Sequence, residues 1–474
     1  MTRGISAIGV YLPRRRMSRR AIGEALAWRS QTDAGRGERA YGNWDEDALT
    51  MAVEAGRVVL SAESGIDSLT FASTTHPFLD RSNVGIAAEA LGLPASLRTQ
   101  DAGGSQRAAV SALVAQLEST SEAALLIAAD RRTTRPGSAQ ESAYGDGAAA
   151  LLVGNGAELA EYLGSVSENI DFVDHYRAAG HDQDYALEER WVRSEAWGPF
   201  VRRGVESLLG RIDLTREAVT RVIIAAPRPL SDSVVRSLEL PNAQSVDACL
   251  DRIGDCGVAH PLIMLAGVLE QAEPGEIVLL VGFGQGVDVV ALRVRSTRDA
   301  ARSGSLSKSL AEGVTDQAYV RFLSHSGALA LDAGMRGERD ARTAHSAHYR
   351  KHSVLNGFEG GRCSACGTVQ FPPAPACVNP ECRAFAEQMP VRLADTAASV
   401  KTYTEDWLAY TPAPPLVYGN AAFEGGGNAF IEFTDVDPGE TSVGAALRFV
   451  FRIKDVDHVR GFHRYFWKAT LRRS

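Results

Sequence analysis

Two stretches of this chain repeat one another, and that repeat limits the fold more than any other feature. Ser142-Ala143-Tyr144-Gly145-Asp146-Gly147 leads into an apolar run at 148–153, and the apolar run 277–283 leads through Gly284-Gln285-Gly286 into another at 287–292. An apolar helical pattern precedes each, near 109–117 and 261–271. Strand, glycine-rich turn and strand recur at a scale of roughly 150 residues, which predicts two similar α/β halves packed together. Strands that are apolar throughout are buried on both faces, so helices must cover both sides of each sheet.

Within the first half, Asp101-Ala102-Gly103-Gly104-Ser105-Gln106-Arg107 opens a helix of small residues, and an apolar strand at 123–129 follows it. Small residues at a turn-to-helix junction let backbones approach closely, and a buried helix N-terminus stabilises negative charge. That is the architecture of a site; the competing reading is a helix that needs small residues to pack. Residues 4–12 read as a first strand ended by Pro13, and the basic run 14–20 as a solvated loop, with phosphate binding as the alternative. Between the halves, the polar and aromatic segment 171–197 interrupts the rhythm, as a segment covering a pocket does. It holds His175, Tyr176 and Tyr185.

After residue 296 the rhythm ends. A polar stretch at 296–308 reads as a linker and 318–333 as a helix. His345, His348 and His352 fall at helical spacing in a charged segment and read as a solvated face rather than a metal site. Of the six cysteines, Cys363, Cys366, Cys377 and Cys382 lie within twenty residues in two pairs. Four soft thiolates on two turns suit one tetrahedral zinc in a closed, structural site. Short strands split by Pro and Gly clusters at 398–451 suggest a small β-barrel. The net charge of −8 gives no argument for nucleic acid. There is no apolar run long enough to span a bilayer and no apolar leader at the start, so the expectation is a cytoplasmic protein without a membrane partner.

The residues also carry a family likeness. Residues 1–296 resemble the 3-hydroxy-3-methylglutaryl-CoA (HMG-CoA) synthase and ketoacyl synthase III branch of the thiolase superfamily. The likeness runs through Ser73-Thr74-Thr75-His76-Pro77-Phe78, Tyr144-Gly145-Asp146-Gly147, Ile253-Gly254-Asp255 and Phe283-Gly284-Gln285-Gly286. It implies an α/β fold, a duplicated αβαβα architecture, that handles acyl-CoA. The tail is similar to the zinc-ribbon plus OB-fold domain that accompanies such proteins. The implied division is 1–296 thiolase-like, 297–352 linker with helix, 353–392 zinc ribbon and 393–474 OB-fold. The implied partners are an acyl-CoA and either a second copy of the chain or a thiolase-like protein.

The chain departs from the family's chemistry at each catalytic position. Gln106, beside Ser105, stands where the cysteine nucleophile is expected, and Thr74 where the synthase has its acid. Ala225-Ala226-Pro227-Arg228-Pro229 holds no histidine, and Asp255 replaces the asparagine. Carbon–carbon chemistry without an acyl-enzyme remains open to such a site: aldol, retro-aldol or decarboxylation of an acyl thioester. Gln106, Ser105, Tyr144, Asp255 and His260 are the candidate catalytic residues; His76 and the covering-segment residues His175, Tyr176 and Tyr185 are further candidate acid/base groups, Cys256 a lesser candidate nucleophile, and the backbone at Gly284 and Gly286 the candidate oxyanion site. The other reading is a non-catalytic acyl-CoA-binding subunit that assembles with a catalytic thiolase.

Overall fold

In the computed structural model, which describes residues 2–29, 35–60, 65–186, 189–299, 304–342 and 344–473, the chain divides into two compact units. The first comprises Met1–Gly42, Asp47–Gly85 and Ala95–Leu329, and the second Asn43–Glu46, Ile86–Pro94 and Ala330–Ser474.

Ten strands form the frame of the first unit. In chain order they are β1 (Arg3–Tyr11), β2 (Ser68–Ala72), β3 (Arg98–Ala102), β4 (Ala123–Asp130), β5 (Gly147–Asn155), β6 (Ala160–Asn169), β7 (Val219–Ile224), β8 (Gln244–Ser245), β9 (Ile277–Phe283) and β10 (Gly286–Val294). Their spatial order is β8-β7-β9-β10-β6-β1-β5-β4-β2-β3. Read outward from the centre, the first half runs β1-β5-β4-β2-β3 and the second β6-β10-β9-β7-β8, which is one topology used twice. The two outer pairings of each half are parallel and the inner ones antiparallel. Within the sheet the halves are joined by two residue pairs, Gly4 with Glu161 and Ile5 with Ala160.

The helices repeat as well: α1 (Ala48–Leu60) and α2 (Ala108–Leu117) in the first half, α3 (Gly198–Arg211) and α4 (His260–Leu269) in the second. Alternation along β9 shows why its sequence is apolar at every position. Val278 and Leu280 join α2 and α4 in one core, while Ile277, Leu279 and Val281 join α3 in another. Because α2 and α4 share a core, both are apolar almost all round.

The expected linker is structured in part. Tyr319 and Phe322 are buried with Met17, Ile22 and Tyr41, and Val314–Asp316 pairs in parallel with Arg15–Ser18, so this stretch belongs to the first unit. Residues 300–303 of that stretch lie outside the described residues.

The second unit holds a five-stranded antiparallel sheet, ordered Asn428–Glu432, Leu416–Phe423, Ala398–Asp406, Ala446–Asp457 and Phe462–Leu471. Phe433, just past one edge strand, bridges to Ala469 on the other. Segment 43–46 is held in this unit by buried charges: Arg452 lies 3.2 Å from Glu46 and 2.9 Å from Asp435, and Lys468 lies 2.9 Å from Asp45. His352 pairs with Glu89 at 2.9 Å, and the His345 and His348 rings pack on Phe462. The sequence reading made these histidines a solvated face. Glu89 is distant in the chain and is brought in only by the fold. Among the described residues no helix is long and apolar enough to cross a membrane.

Candidate active site

The turns preceding the two duplicated helices converge on one cavity of about 630 Å³, which Gln106 before α2, and Asp255, Gly257 and Pro261 around the start of α4, all line. The remaining wall includes Arg132, Tyr144, Asp174, His175, Arg193, Trp197, Pro227 and Phe283.

Glycines make one junction of this site possible. The Gly145 N–H donates to the Asp255 carbonyl at 2.8 Å, and the Asp255 N–H donates to the Ala143 carbonyl at 2.8 Å. A Cβ on Gly145 would stand 1.9 Å from the Ile253 carbonyl oxygen. Gly254, at φ +73°, has the Tyr144 carbonyl oxygen 2.6 Å from where its Cβ would be. Only two glycines allow these backbones to touch, and the contact places Tyr144 beside Asp255.

Arg132 completes the cluster. Its guanidinium pairs with the Asp255 carboxylate at 3.0 Å and lies over the Tyr144 ring, 3.6 Å from the centroid. Desolvation raises the Asp255 pKa, but Arg132 together with His260 and the Gly257 N–H outweighs it, and the carboxyl titrates below its ordinary range. Burial pushes the Tyr144 hydroxyl up, so Tyr144 is a neutral donor near neutral pH. A second pair, His175 and Asp174, comes from the segment between the halves, with Nδ1 2.8 Å from Asp174 Oδ2. The lining also has an apolar part: Trp197 stacks on Phe283 at 3.9 Å, and Pro227, Pro229 and Leu230 adjoin the cavity.

Of the five candidate catalytic residues, the structure brings Gln106, Tyr144 and Asp255 to this cavity and turns two away. Ser105 Oγ donates to the Gly284 carbonyl at 2.8 Å and does not line the cavity. His260 is fully buried: Nδ1 accepts from the Cys256 N–H at 3.1 Å and Nε2 faces the Ala248 carbonyl at 2.9 Å. Both nitrogens are occupied and burial lowers its pKa, so His260 fixes the loop before α4 as a neutral ring. The Gly284 N–H donates to the Gly286 carbonyl at 3.1 Å within its own turn, and neither glycine lines the cavity. Cys256 is fully buried and its thiol is pushed up by that burial, which suits an inert packing residue. Thr74 donates its hydroxyl to Asp130 at 2.9 Å, and His76 packs edge-on against Phe71; neither lines the cavity. Sequence reasoning missed Arg132 and Asp174. Arg132 follows another arginine in a loop without recognisable spacing, and Asp174 had only its neighbour His175 as a signal.

In the second unit, Cys363, Cys366, Cys377 and Cys382 bring their sulfurs within 4.8 Å of one another. The Cys363–Cys382 and Cys366–Cys377 separations are 3.8 and 3.6 Å. Four sulfurs at about 2.3 Å from one tetrahedral zinc stand about 3.8 Å apart, so the donor set fits zinc.

Comparison with known proteins places both regions. Residues 209–296 match the family model of the 3-oxoacyl-[acyl-carrier-protein] synthase III C-terminal domain, and residues 356–387 that of the ChsH2 rubredoxin-like zinc ribbon domain. The chain is 27% identical over 341 residues to the hydroxymethylglutaryl-CoA synthase of Methanopyrus kandleri, covering 67% of this chain and 95% of that protein. It is 28% identical to the Pyrococcus horikoshii enzyme over 295 residues, 60% of this chain and 83% of that one. Among solved structures, an HMG-CoA synthase complexed with CoA superposes with a TM-score of 0.59 at 14% identity, covering 73% of this chain and 95% of that one. The 3-oxoacyl-(acyl carrier protein) synthase III, FabH, of Pseudomonas aeruginosa PAO1 does so with 0.56 at 22% identity, covering 63% and 100%.

Proposed function

We propose that the chain, similar to HMG-CoA synthases and, over residues 209–296, to the C-terminal domain of 3-oxoacyl-[acyl-carrier-protein] synthase III, makes or breaks a carbon–carbon bond on an acyl-CoA thioester without forming an acyl-enzyme. One observation carries the reading. The cavity into which the two helix N-termini lead is lined by hydrogen-bonding and ionised groups, and Gln106, which stands where the family resemblance places the nucleophile, is among them. A carboxamide is neither nucleophilic nor ionisable near neutral pH; its N–H₂ donates to a thioester carbonyl. Arg132 and Tyr144 add donors to the same cavity, and such donors stabilise negative charge on an enolate oxygen. The apolar wall at Trp197, Phe283 and Leu230 suits the hydrocarbon part of an acyl group.

Incubation with a panel of acyl-CoAs, followed by intact-protein mass spectrometry, should show no covalent adduct while product forms. Binding without turnover, alone and with a thiolase partner supplied, would favour the non-catalytic subunit instead.

The tail, read as a zinc ribbon followed by an OB-fold, should hold one zinc ion through its four cysteines. Structural zinc contributes folding free energy on the order of 10 kcal/mol in small modules. Cys377→Ser should therefore remove the metal, seen by elemental analysis, and the ordered tail, seen by limited proteolysis. β3 is an edge strand with Arg98, Thr99 and Gln100 exposed. An open edge is completed when a second copy pairs with it, so sedimentation should give the mass of a dimer.

A further inference from the structure

The segment between the halves places an ordered imidazole at the cavity. His175 and Asp174 both line it, together with Gln106 and Tyr144. Asp174 Oδ2 meets His175 Nδ1 at 2.8 Å, and Asp174 Oδ1 accepts from Gln285 Nε2, also at 2.8 Å. Gln285 Nε2 reaches the His175 carbonyl as well, at 3.1 Å. Gln285 itself stands at φ +49° in the turn between β9 and β10. A carboxylate accepting at Nδ1 fixes the proton there and leaves Nε2 as the acceptor. Among the described residues no group hydrogen-bonds Nε2. Burial disfavours the imidazolium, and so does the charge of Arg132; Asp174 and Asp184 favour it and prevail, so the ring titrates above its ordinary value. Arg193 adds a further positive group at the cavity wall.

We propose that His175, oriented by Asp174, is the general base for aldol-type cleavage of 3-hydroxyacyl thioesters, and that Gln285 is the positioning residue of the pair. This rests on the acyl-thioester reading above and adds the substrate class and the proton's acceptor. Nε2 takes the proton of the 3-hydroxyl group, and the O–H electron pair becomes the new C=O bond. The Cα–Cβ bond breaks, and its electrons pass to the α-carbon and the thioester carbonyl as an enolate, to which Gln106 donates. The imidazolium then returns the proton to the α-carbon. The products are an aldehyde or ketone and a shortened acyl thioester, with no oxidant, reductant or further reactant required.

By microscopic reversibility the same base removes an α-proton from the shortened thioester, which gives a test with a simple probe. Propionyl-CoA in D₂O should lose its α-protons in the presence of the parent protein, read by mass spectrometry, and His175→Ala should slow this by roughly 100-fold or more. Calorimetric affinity for propionyl-CoA should stay within about threefold of the parent, which separates loss of the base from loss of the fold. Exchange needs neutral imidazole, so its rate rises with pH through the His175 titration. Asp174→Asn removes the main group favouring the imidazolium and should move that rise to lower pH; Gln285→Ala should move it the same way by less. Exchange that survives in His175→Ala, or a rise that stays in place in Asp174→Asn, overturns the base assignment alone. A parent that binds propionyl-CoA without exchanging it also overturns that assignment. A parent that neither binds nor exchanges removes the acyl-thioester reading beneath it.

Discussion

The two halves of the first unit share a topology strand for strand but differ in what joins the strands. Between β4 and β5 the first half inserts residues 131–146, which bring Arg132 and Tyr144; between β9 and β10 the second half has only the turn at Gly284 and Gln285. The second half draws instead on the path from β6 to α3, residues 170–197, which supplies Asp174, His175 and Trp197. Duplication gave two buried helices whose N-termini lead to one cavity, while each half contributed different side chains through a different loop. The frame is symmetric because burying apolar strands on both faces admits few arrangements. Its loops bear no such constraint, and the chemistry sits there.

The sharpest way to break this arrangement is at the contact between the halves. Gly145→Ala sets a Cβ 1.9 Å from a carbonyl oxygen of the opposite loop and should cost about 3 kcal/mol or more, or prevent folding. Gly210→Ala, in α3 with nothing within 4 Å of its Cβ, should be neutral or stabilise by up to about 1 kcal/mol. Equal stability of Gly145→Ala and the parent in urea would show that the loops do not meet as described.

Next in size is Arg132→Met, which strips Asp255 of its cation and Tyr144 of the guanidinium over its ring. Because the Asp255 side chain is 36% exposed, solvent screens part of this pairing, and its loss should lower stability by about 1 kcal/mol, measured by denaturant midpoint, and should lower turnover as well. Unchanged stability would mean that solvent replaces the guanidinium without loss.

Gln106→Ala removes one donor from the first half's helix terminus. Turnover should fall by at most about 100-fold or somewhat more, rather than vanish as it does when a nucleophile is removed. A covalent adduct in the parent at Ser105 or Cys256 would contradict the geometry that directs the one to Gly284 and buries the other.

The smallest effect is on acid stability. Asp255 titrates below its ordinary value in the folded chain, so its pairing stabilises fully above the unfolded carboxyl pKa. That contribution is lost as pH falls through the lowered folded value. The parent should therefore lose stability on acidification more steeply than Arg132→Met below about pH 4. Parallel curves would place the shift elsewhere.

What the sequence determined by itself follows from local or periodic constraints. Cys363, Cys366, Cys377 and Cys382 were legible because thiolates on two tight turns, close in the chain, have few purposes other than a metal. The two halves were legible because the runs 148–153 and 277–283 are apolar throughout, as strands of a doubly covered sheet are. Gln106 was marked by its place before a small-residue helix, and Tyr144 and Asp255 by the family resemblance of the motifs that hold them. Tertiary structure decided the rest. Ser105 adjoins Gln106, yet its hydroxyl turns to Gly284, 179 residues away. His260 lies five positions after Asp255 but points into the core, where Cys256 and Ala248 occupy both its nitrogens. Arg131 and Arg132 are adjacent and look alike in sequence, yet Arg132 alone is drawn to Asp255, while Arg131 sits 3.8 Å from Asp146. Side-chain direction at a turn is set by whichever distant charge or carbonyl must be satisfied once water is excluded, and nothing local to these residues encodes that.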